Sequence, residues 1–445
     1  MIRRGKDVAV VVAPVFINGV AVARRLARVG SYIVGVDSSS DSPGLQSRFV
    51  KERVIVESPS QSEGAFTAFL LSRKDLYGAL VIPTDDFHVR ELYRNRAALA
   101  EHYRLCISQG NAVEIAMDKA FTAATVALAG INAPRTRLIA NVADLHDAAR
   151  YVGFPAIVKP TFSISFSRKF GTKSFLVKNE ADLKAGFERA SAGGEAVVLQ
   201  EMIPGGDDQL ATYTSYWDEE GRLAGDFVAR KLLQHPPIFG VGQVHKAEPI
   251  QEVIDGCRQF YRHIGYAGAV SSSEWKYDHR DGKWKFLEFN ARTHMQIALA
   301  QPAGCDVIEM MRRDKLGLPQ IGPGKIRYGL KWVYIKNGIL RQVHYPEHRQ
   351  SIVELVKTYR PPVVFAMFSL EDMRPFIADL LPMLERHLPW RKRSKGTADP
   401  APPGGARRVE TPLSRHSPLF LSMFATLLTT AWNAEAAGLA LNAFT

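Results

Sequence analysis

Cysteine is scarce in this chain: Cys106, Cys257 and Cys305 are the only three in 445 residues. They are widely spaced, which excludes a disulfide framework and a cysteine metal site, and a reducing cytoplasmic setting is the expectation. A glycine-rich dinucleotide fingerprint is missing too. Where Gly-x-Gly-x-x-Gly would follow the first strand, the chain reads Pro14 to Gly19 with one glycine at its end, so a dinucleotide site is poorly supported there. Uninterrupted apolar stretches are short. Leu419 to Trp432 falls below the roughly 20 residues a membrane-spanning helix needs. At the other end, Met1 to Lys6 followed by Val8 to Ala13 has the charge and hydropathy order of a signal peptide. Pro14, Asn18 and Gly19 interrupt it, and the charged Arg24, Arg25 and Arg28 follow, so a buried strand, a loop and an amphipathic helix is the better reading.

What is present is ordinary for a globular protein: 46% hydrophobic and 23% charged residues, with a formal net charge of +12 and pI near 9.5. The basic balance permits nucleic acid or an anionic membrane as partner but requires neither, since small anionic ligands satisfy it equally. The length suits two to four domains. Val8 to Ala13 is a continuous apolar run of the kind buried on both faces of a parallel sheet. A helix over about 19–29 and strands at Tyr32 to Val36, Val54 to Val56 and Ala79 to Ile82 extend it into a doubly wound α/β unit over residues 1–113. Asp85 and Asp86 follow the last of these strands, either as ligand-facing groups or as a helix cap.

The most informative stretch is Ser273 to Arg292. Two alternating segments flank a turn ending in Asp281 and Gly282, which predicts a β-hairpin. Side chains alternate along a strand, so Glu288, Asn290 and Arg292 share a face, and Glu274 on the other arm comes alongside. Two carboxylates and an amide oxygen form a hard-oxygen set suited to Mg²⁺, and an arginine beside them suits a phosphate or carboxylate. The competing reading is a solvated hairpin whose acids balance Lys276, Lys283 and Lys285.

This pattern of Glu274, a turn, then Leu287–Glu288–Phe289–Asn290–Ala291–Arg292 resembles the metal-binding hairpin of the ATP-grasp ligases, with Ala291 where a proline is usual. Upstream residues fit the resemblance in order. Asp118 and Lys119 open a helix that ends at Gly130–Ile131, before Pro134. Lys159 closes a short apolar strand, and Lys173 opens the next after a loop at 161–172. The run from Ala196 to Asp208 resembles the hinge. The resemblance implies that Lys119, Lys159, Lys173 and Lys231 approach phosphate, that the backbone at Glu201 and Ile203 reads adenine, and that Asp208 takes the ribose. It implies Glu274, Glu288 and Asn290 as metal ligands and Arg292 as the catalytic residue. The loop 161–172 departs from the usual glycine-rich form, with Ser163, Ser165, Ser167, Arg168 and one glycine, Gly171.

The implied architecture is an α/β and α+β multi-domain protein. An ATP-grasp domain spans 114–318 with its lid at about 150–205, preceded by a Rossmann-like pre-ATP-grasp domain at 1–113. A small, β-rich C-terminal region is expected at 319–390, including a strand over Ile326 to Val333, and a basic linker with an apolar tail at 391–445. For that tail a docked helix, a partner-binding helix and a membrane-associated segment stay open. The implied activity is ATP-dependent ligation of a carboxylate to an amine through an acyl phosphate, with ADP and phosphate released and Mg²⁺, or Mn²⁺ in its place, as the metal. Two alternatives stand beside it: a bicarbonate-activating carboxylase or carbamoyl-phosphate-type enzyme, and a non-catalytic nucleotide-binding module. Neither a second copy of the site nor a biotin-carrier lysine motif is visible. His294, just after the metal motif, reads either as substrate-facing or as a packed residue.

Overall fold

The structure is a computed structural model that describes residues 8–161, 170, 174–191, 196–237, 240–387, 429–433 and 435–436. Lys173 and most of the loop 161–172 lie outside the described residues.

Five strands begin the chain: β1 (Ala9–Ala13), β2 (Tyr32–Asp37), β3 (Val50–Ile55), β4 (Leu80–Pro83) and β5 (Arg104–Leu105). They form an all-parallel sheet of order β3-β2-β1-β4-β5. Every residue of β1 and β4 is buried, as the unbroken apolar runs require of a sheet covered on both faces. The chain reverses direction in strand order between β1 and β4, where open α/β sheets leave a crevice at their carboxyl ends. Close packing there depends on Gly44, where a Cβ would come 1.7 Å from the Val15 carbonyl oxygen.

A four-stranded antiparallel sheet follows, of order β6-β9-β7-β8, from β6 (Thr136–Ile139), β7 (Ala156–Pro160), β8 (Phe175–Val177) and β9 (Val197–Glu201). Helices Asp144–Val152 and Glu180–Ser191 pack their apolar stripes against it around Val152, Val158, Leu183 and Leu199.

The third sheet is the largest. It runs β14-β13-β10-β11-β12-β15-β16, from β10 (Leu210–Trp217), β11 (Leu223–His235), β12 (Val241–Ala247), β13 (Ala269–Asp278), β14 (Lys283–Asn290), β15 (Lys331–Val333) and β16 (Val363–Phe365). All neighbours are antiparallel except β15 and β16. One face buries Trp275, Phe286 and Phe289 against Phe260 and Tyr261 of the helix Gln251–His263. The other face carries polar residues toward the cleft and the apolar Phe227 and Ala229 toward Ile297 and Leu299.

The expected β-rich C-terminal region is corrected here. Among the described residues, 319–387 add two three-residue strands to the edge of the large sheet and three α-helices, Ile335–His344, Ile352–Tyr359 and Arg374–His387. The signal for the middle helix was legible as Ser351 and Glu354, which form a reciprocal capping box. Of Ile326 to Val333 only the last three residues pair in a strand. The region is stapled to the amino-terminal sheet by the buried pair Arg24–Asp372 at 3.0 Å, where Asp372 also accepts from Ser47. From the tail, Ala431 is fully buried in the same core, and Glu435 lies near Arg24 and Arg28. Among the described residues, no helix is long and apolar enough to cross a membrane. All three cysteines are buried and free, and burial pushes the Cys106 thiol up to about 12.

Candidate nucleotide and metal site

The hairpin β13–β14 forms as its sequence predicts, with one departure that builds the site. The ladder pairs Ser272 with Asn290 and Glu274 with Glu288, then shifts so that Trp275 pairs with Phe286. Leu287 is the extra residue of a β-bulge. A bulge re-aims side chains, and here it lets Trp275 and Phe286 stay together in the core, in an edge contact at 5.2 Å, while Glu274 and Glu288 are directly opposed on the other face. Like charges directly opposite on neighbouring strands are unfavourable without a cation. The protein supplies one. Lys231 on β11, almost fully buried, brings its Nζ to 3.4 and 3.5 Å from the two carboxylate oxygens of Glu274. Lys231 is thus a buried partner of Glu274 and not a solvated strand charge.

Two carboxylates and the Asn290 amide oxygen face one way. Among the described residues no group of three His, Cys, Asp or Glu is arranged for a metal ion, so a soft or imidazole-rich centre is not built there. The hard-oxygen set that is present fits Mg²⁺ or Mn²⁺, which take one or two carboxylates and complete their shell with water and phosphate oxygens.

Arg292 lies past the end of β14. Its Nη2 donates to Asn290 Oδ1 at 3.2 Å, and its Nε and Nη2 donate to the two oxygens of Asp86 at 2.6 and 2.9 Å. Desolvation works against the guanidinium charge, but Asp86 outweighs it and holds the arginine charged. Asp86 comes from the first turn of the helix Asp86–Arg94 at the end of β4, while Asp85 caps that helix by accepting from the His88 N–H. The helix-cap reading of the Asp85–Asp86 pair therefore holds, with Asp85 as the cap and Asp86, an acid of the first turn, held by Arg292.

Lys159 reaches the cleft from β7. Its Nζ donates to Gln200 Oε1 at 2.7 Å, and Gln200 in turn donates to Thr136 Oγ1 at 3.2 Å. Lys119, Lys159, Gln200 and Glu288 line one cleft between the helix Lys119–Leu128, the four-stranded sheet and β14. Desolvation lowers the Lys159 ammonium to about 8, with Glu288 acting to raise it and Lys119 to lower it. Asp118 caps the helix by accepting from Ala120 and Phe121 N–H groups, and the Lys119 backbone N–H donates to the Thr161 carbonyl. A cationic side chain is thereby fixed in the first helical turn, facing the cleft.

The hinge residues divide. Ile203 is buried. The Glu201 N–H donates to the Arg135 carbonyl, and its side chain is held by Arg135 at 3.3 Å and Arg280 at 2.7 Å. Burial acts to raise its pKa, but the two arginines prevail and keep it below the ordinary carboxylate value. Asp208 is exposed, and its carbonyl accepts from Arg230. Its neighbour Asp207 is tied down by Gln234 and by Arg341 at 3.0 Å. His294 is a packed residue: its Nε2 lies 2.7 Å from Thr214 Oγ1, and burial takes its pKa to about 4, so the ring is neutral. The residues that sequence reading missed are Gln200, Asp86 as partner of Arg292, and Asn18. The Asn18 amide nitrogen donates to the carbonyls of Thr84 and Thr293.

No family model matches the chain. It is similar to the D-aspartate ligase of Enterococcus faecium, 25% identical over 170 residues that make up 37% of this chain and 40% of that protein. Formate-dependent phosphoribosylglycinamide formyltransferase of Methanocella arvoryzae is 23% identical over 318 residues, 67% of this chain and 70% of that one. The match thus spans 40% of the length of the first of these relatives. Among solved structures, the biotin carboxylase domain of Hydrogenobacter thermophilus 2-oxoglutarate carboxylase, in complex with MgADP and bicarbonate, superposes with a TM-score of 0.60 at 16% identity, over 73% of each chain. An ADP complex of N5-carboxyaminoimidazole ribonucleotide synthetase gives 0.57 at 17% identity, covering 77% of this chain and 86% of that one. These relatives and neighbours are ATP-grasp enzymes, and this chain has the ATP-grasp fold.

Proposed function

We propose that this protein is an ADP-forming ligase that joins a carboxylate to an amine, with ATP and Mg²⁺. The observation that carries the proposal is the opposed pair Glu274 and Glu288, with Asn290 held by Arg292 on the same strand end, and with Glu288 lining the cleft that Lys119 and Lys159 enter. Lys231 offsets one of the two opposed carboxylates, Glu274, and the pair still carries one more negative charge than that lysine neutralises. The relatives reported above, at least one of them a ligase by name, support the same reading.

In this proposal Lys159, Lys119 and, from the sequence resemblance, Lys173 take the triphosphate as point charges. The hinge at Glu201, Ile203 and Asp208 takes the nucleoside. Glu274, Glu288 and Asn290 hold Mg²⁺, which supplies neutralisation of charge on the phosphate oxygens when bound. Lys231 keeps Glu274 in place and stands next to the phosphate. The substrate carboxylate attacks the γ-phosphorus, its oxygen forms the new P–O bond, and ADP leaves. Arg292 stabilises the charge that spreads over the transferring group and then the acyl phosphate. The amine attacks the acyl carbon, the C–O bond to phosphate breaks, and phosphate departs. The chain needs no nucleophile of its own, since the work is positioning and charge stabilisation. The structural neighbour crystallised with bicarbonate keeps a bicarbonate-activating variant of this chemistry as the second reading.

The test is ADP release measured against a panel of carboxylate and amine pairs and against bicarbonate, with Glu288→Gln as the blank. ADP release that depends on one carboxylate and one amine supports the ligase reading. Release with bicarbonate alone selects the second reading, and no release with any carboxylate or with bicarbonate overturns both.

A further inference from the structure

The Arg292 guanidinium is already occupied. Its Nε and Nη2 edge, the edge that receives a carboxylate or phosphate in bidentate fashion, is filled by the two oxygens of Asp86 at 2.6 and 2.9 Å. Nη1 donates to the Thr293 carbonyl at 3.0 Å, and Nη2 also donates to Asn290. An anion that is to use this bidentate edge must first displace Asp86.

The surroundings are built for that exchange. The Asp86 side chain is 40% exposed and that of Arg292 19%, so the carboxylate has solvent to move into while the arginine stays sheltered. Asn18, itself buried, clamps the two backbones on either side of the pair. Its amide nitrogen donates to Thr84 O at 2.6 Å and to Thr293 O at 3.3 Å. Thr84 precedes the aspartates and Thr293 follows the arginine, so this clamp fixes the spacing of the two chain segments whether or not the ion pair is closed. The parallel sheet unit thereby reaches the end of the hairpin through two side chains, Asn18 and Asp86.

We infer that Asp86 is a positioning residue and placeholder: it holds the Arg292 fork alongside Asn290 and gives up that bidentate edge to an anionic oxygen pair, the carboxylate being phosphorylated or the phosphate that leaves. The inference rests on the proposed role of Arg292. Asp86 contacts neither nucleotide nor metal in this account and acts only through the arginine.

Inorganic phosphate is the probe, titrated by calorimetry into the full-length protein saturated with MgADP. Phosphate binding needs no turnover, so the ligase reading fails separately, on absent ADP release. Asp86→Ala removes the competitor and is expected to bind phosphate about tenfold more tightly than the wild type, a difference of about 1.4 kcal/mol. Asp86→Glu restores wild-type affinity. Asp86→Asn, which keeps the shape and loses the charge, falls between, and it carries the test if the alanine variant fails to fold. In an Arg292→Gln background, Asp86→Ala changes nothing. A merely structural Asp86 would not produce a gain that depends on Arg292. Phosphate affinity that is unchanged or weaker in Asp86→Ala and Asp86→Asn, or a gain that persists without Arg292, overturns the inference.

Discussion

Replacing Lys159 by methionine keeps most of the side-chain stem and removes the charge. The wild-type ammonium donates to Gln200 at 2.7 Å and shares its cleft with Lys119 and Glu288. A hydrogen bond to a charged group contributes about 1.5–3 kcal/mol, so at pH 7 ATP affinity should fall by roughly one to two decades. Adenosine has no phosphate, and its affinity should stay within about twofold. The lowered pKa adds a pH signature. Desolvation brings the folded-state value to about 8, against an unfolded lysine near 10.4. Between those values the unfolded chain holds the extra proton, so this residue makes the unliganded protein more stable as pH rises through that window. The Lys159→Met protein lacks that increment, and its ATP affinity should also lack the decline that the wild type shows above about pH 8. Calorimetric titration of ATP and adenosine at pH 7 and 9, with Lys178→Ala as an exposed control, decides the matter. Equal losses for ATP and adenosine would refute the reasoning, because Lys159 would then be holding the four-stranded sheet rather than phosphate.

Three further outcomes are expected. Glu288→Gln conserves shape at an exposed position, so thermal melting should shift by less than about 2 °C while Mg²⁺-dependent ADP formation falls at least about 100-fold; residual turnover within tenfold would make the hairpin structural. Gly256→Ala, a change that normally favours a helix, should destabilise by about 1–3 kcal/mol, because the added Cβ would sit 2.5 Å from the Trp275 ring; a melting temperature equal to or above wild type contradicts this. Removing residues 388–445 should lower the melting temperature by about 2–6 °C, since Ala431 is fully buried and Glu435 lies near Arg24, but ADP binding should persist because every nucleotide residue named here lies earlier. Loss of ADP binding in a folded truncation would show that the tail contributes to the site.

Much of this was readable from the chain because it is local. Apolar runs set β1 and β4, Asp118 announced a helix start, and strict alternation put Glu288 and Asn290 on one face. The bulge at Leu287 was not legible, because its cause is the packing of Trp275 on Phe286 within a core assembled from distant segments. The Arg292–Asp86 pair spans 206 positions, and no periodicity carries such a contact. Lys231 was legible only through the resemblance, as a residue near phosphate, and the burial of β11 between β10 and β12 is what turns it toward Glu274. The C-terminal region was misread as β-rich because its strands are three residues long and owe their pairing to the edge of the large sheet, not to their own alternation. Lys173 carries its assignment on the sequence resemblance alone.

The central claim is that this site phosphorylates a carboxylate and passes the acyl group to an amine. Hydroxylamine tests it most directly, because it traps an acyl phosphate as a hydroxamate whatever the natural amine is. With MgATP, hydroxylamine and the carboxylate that supports ADP release, the account predicts hydroxamate and ADP in equal amounts from the wild type and neither from Glu288→Gln. AMP and pyrophosphate in place of ADP and phosphate, or ADP released without hydroxamate, would contradict it.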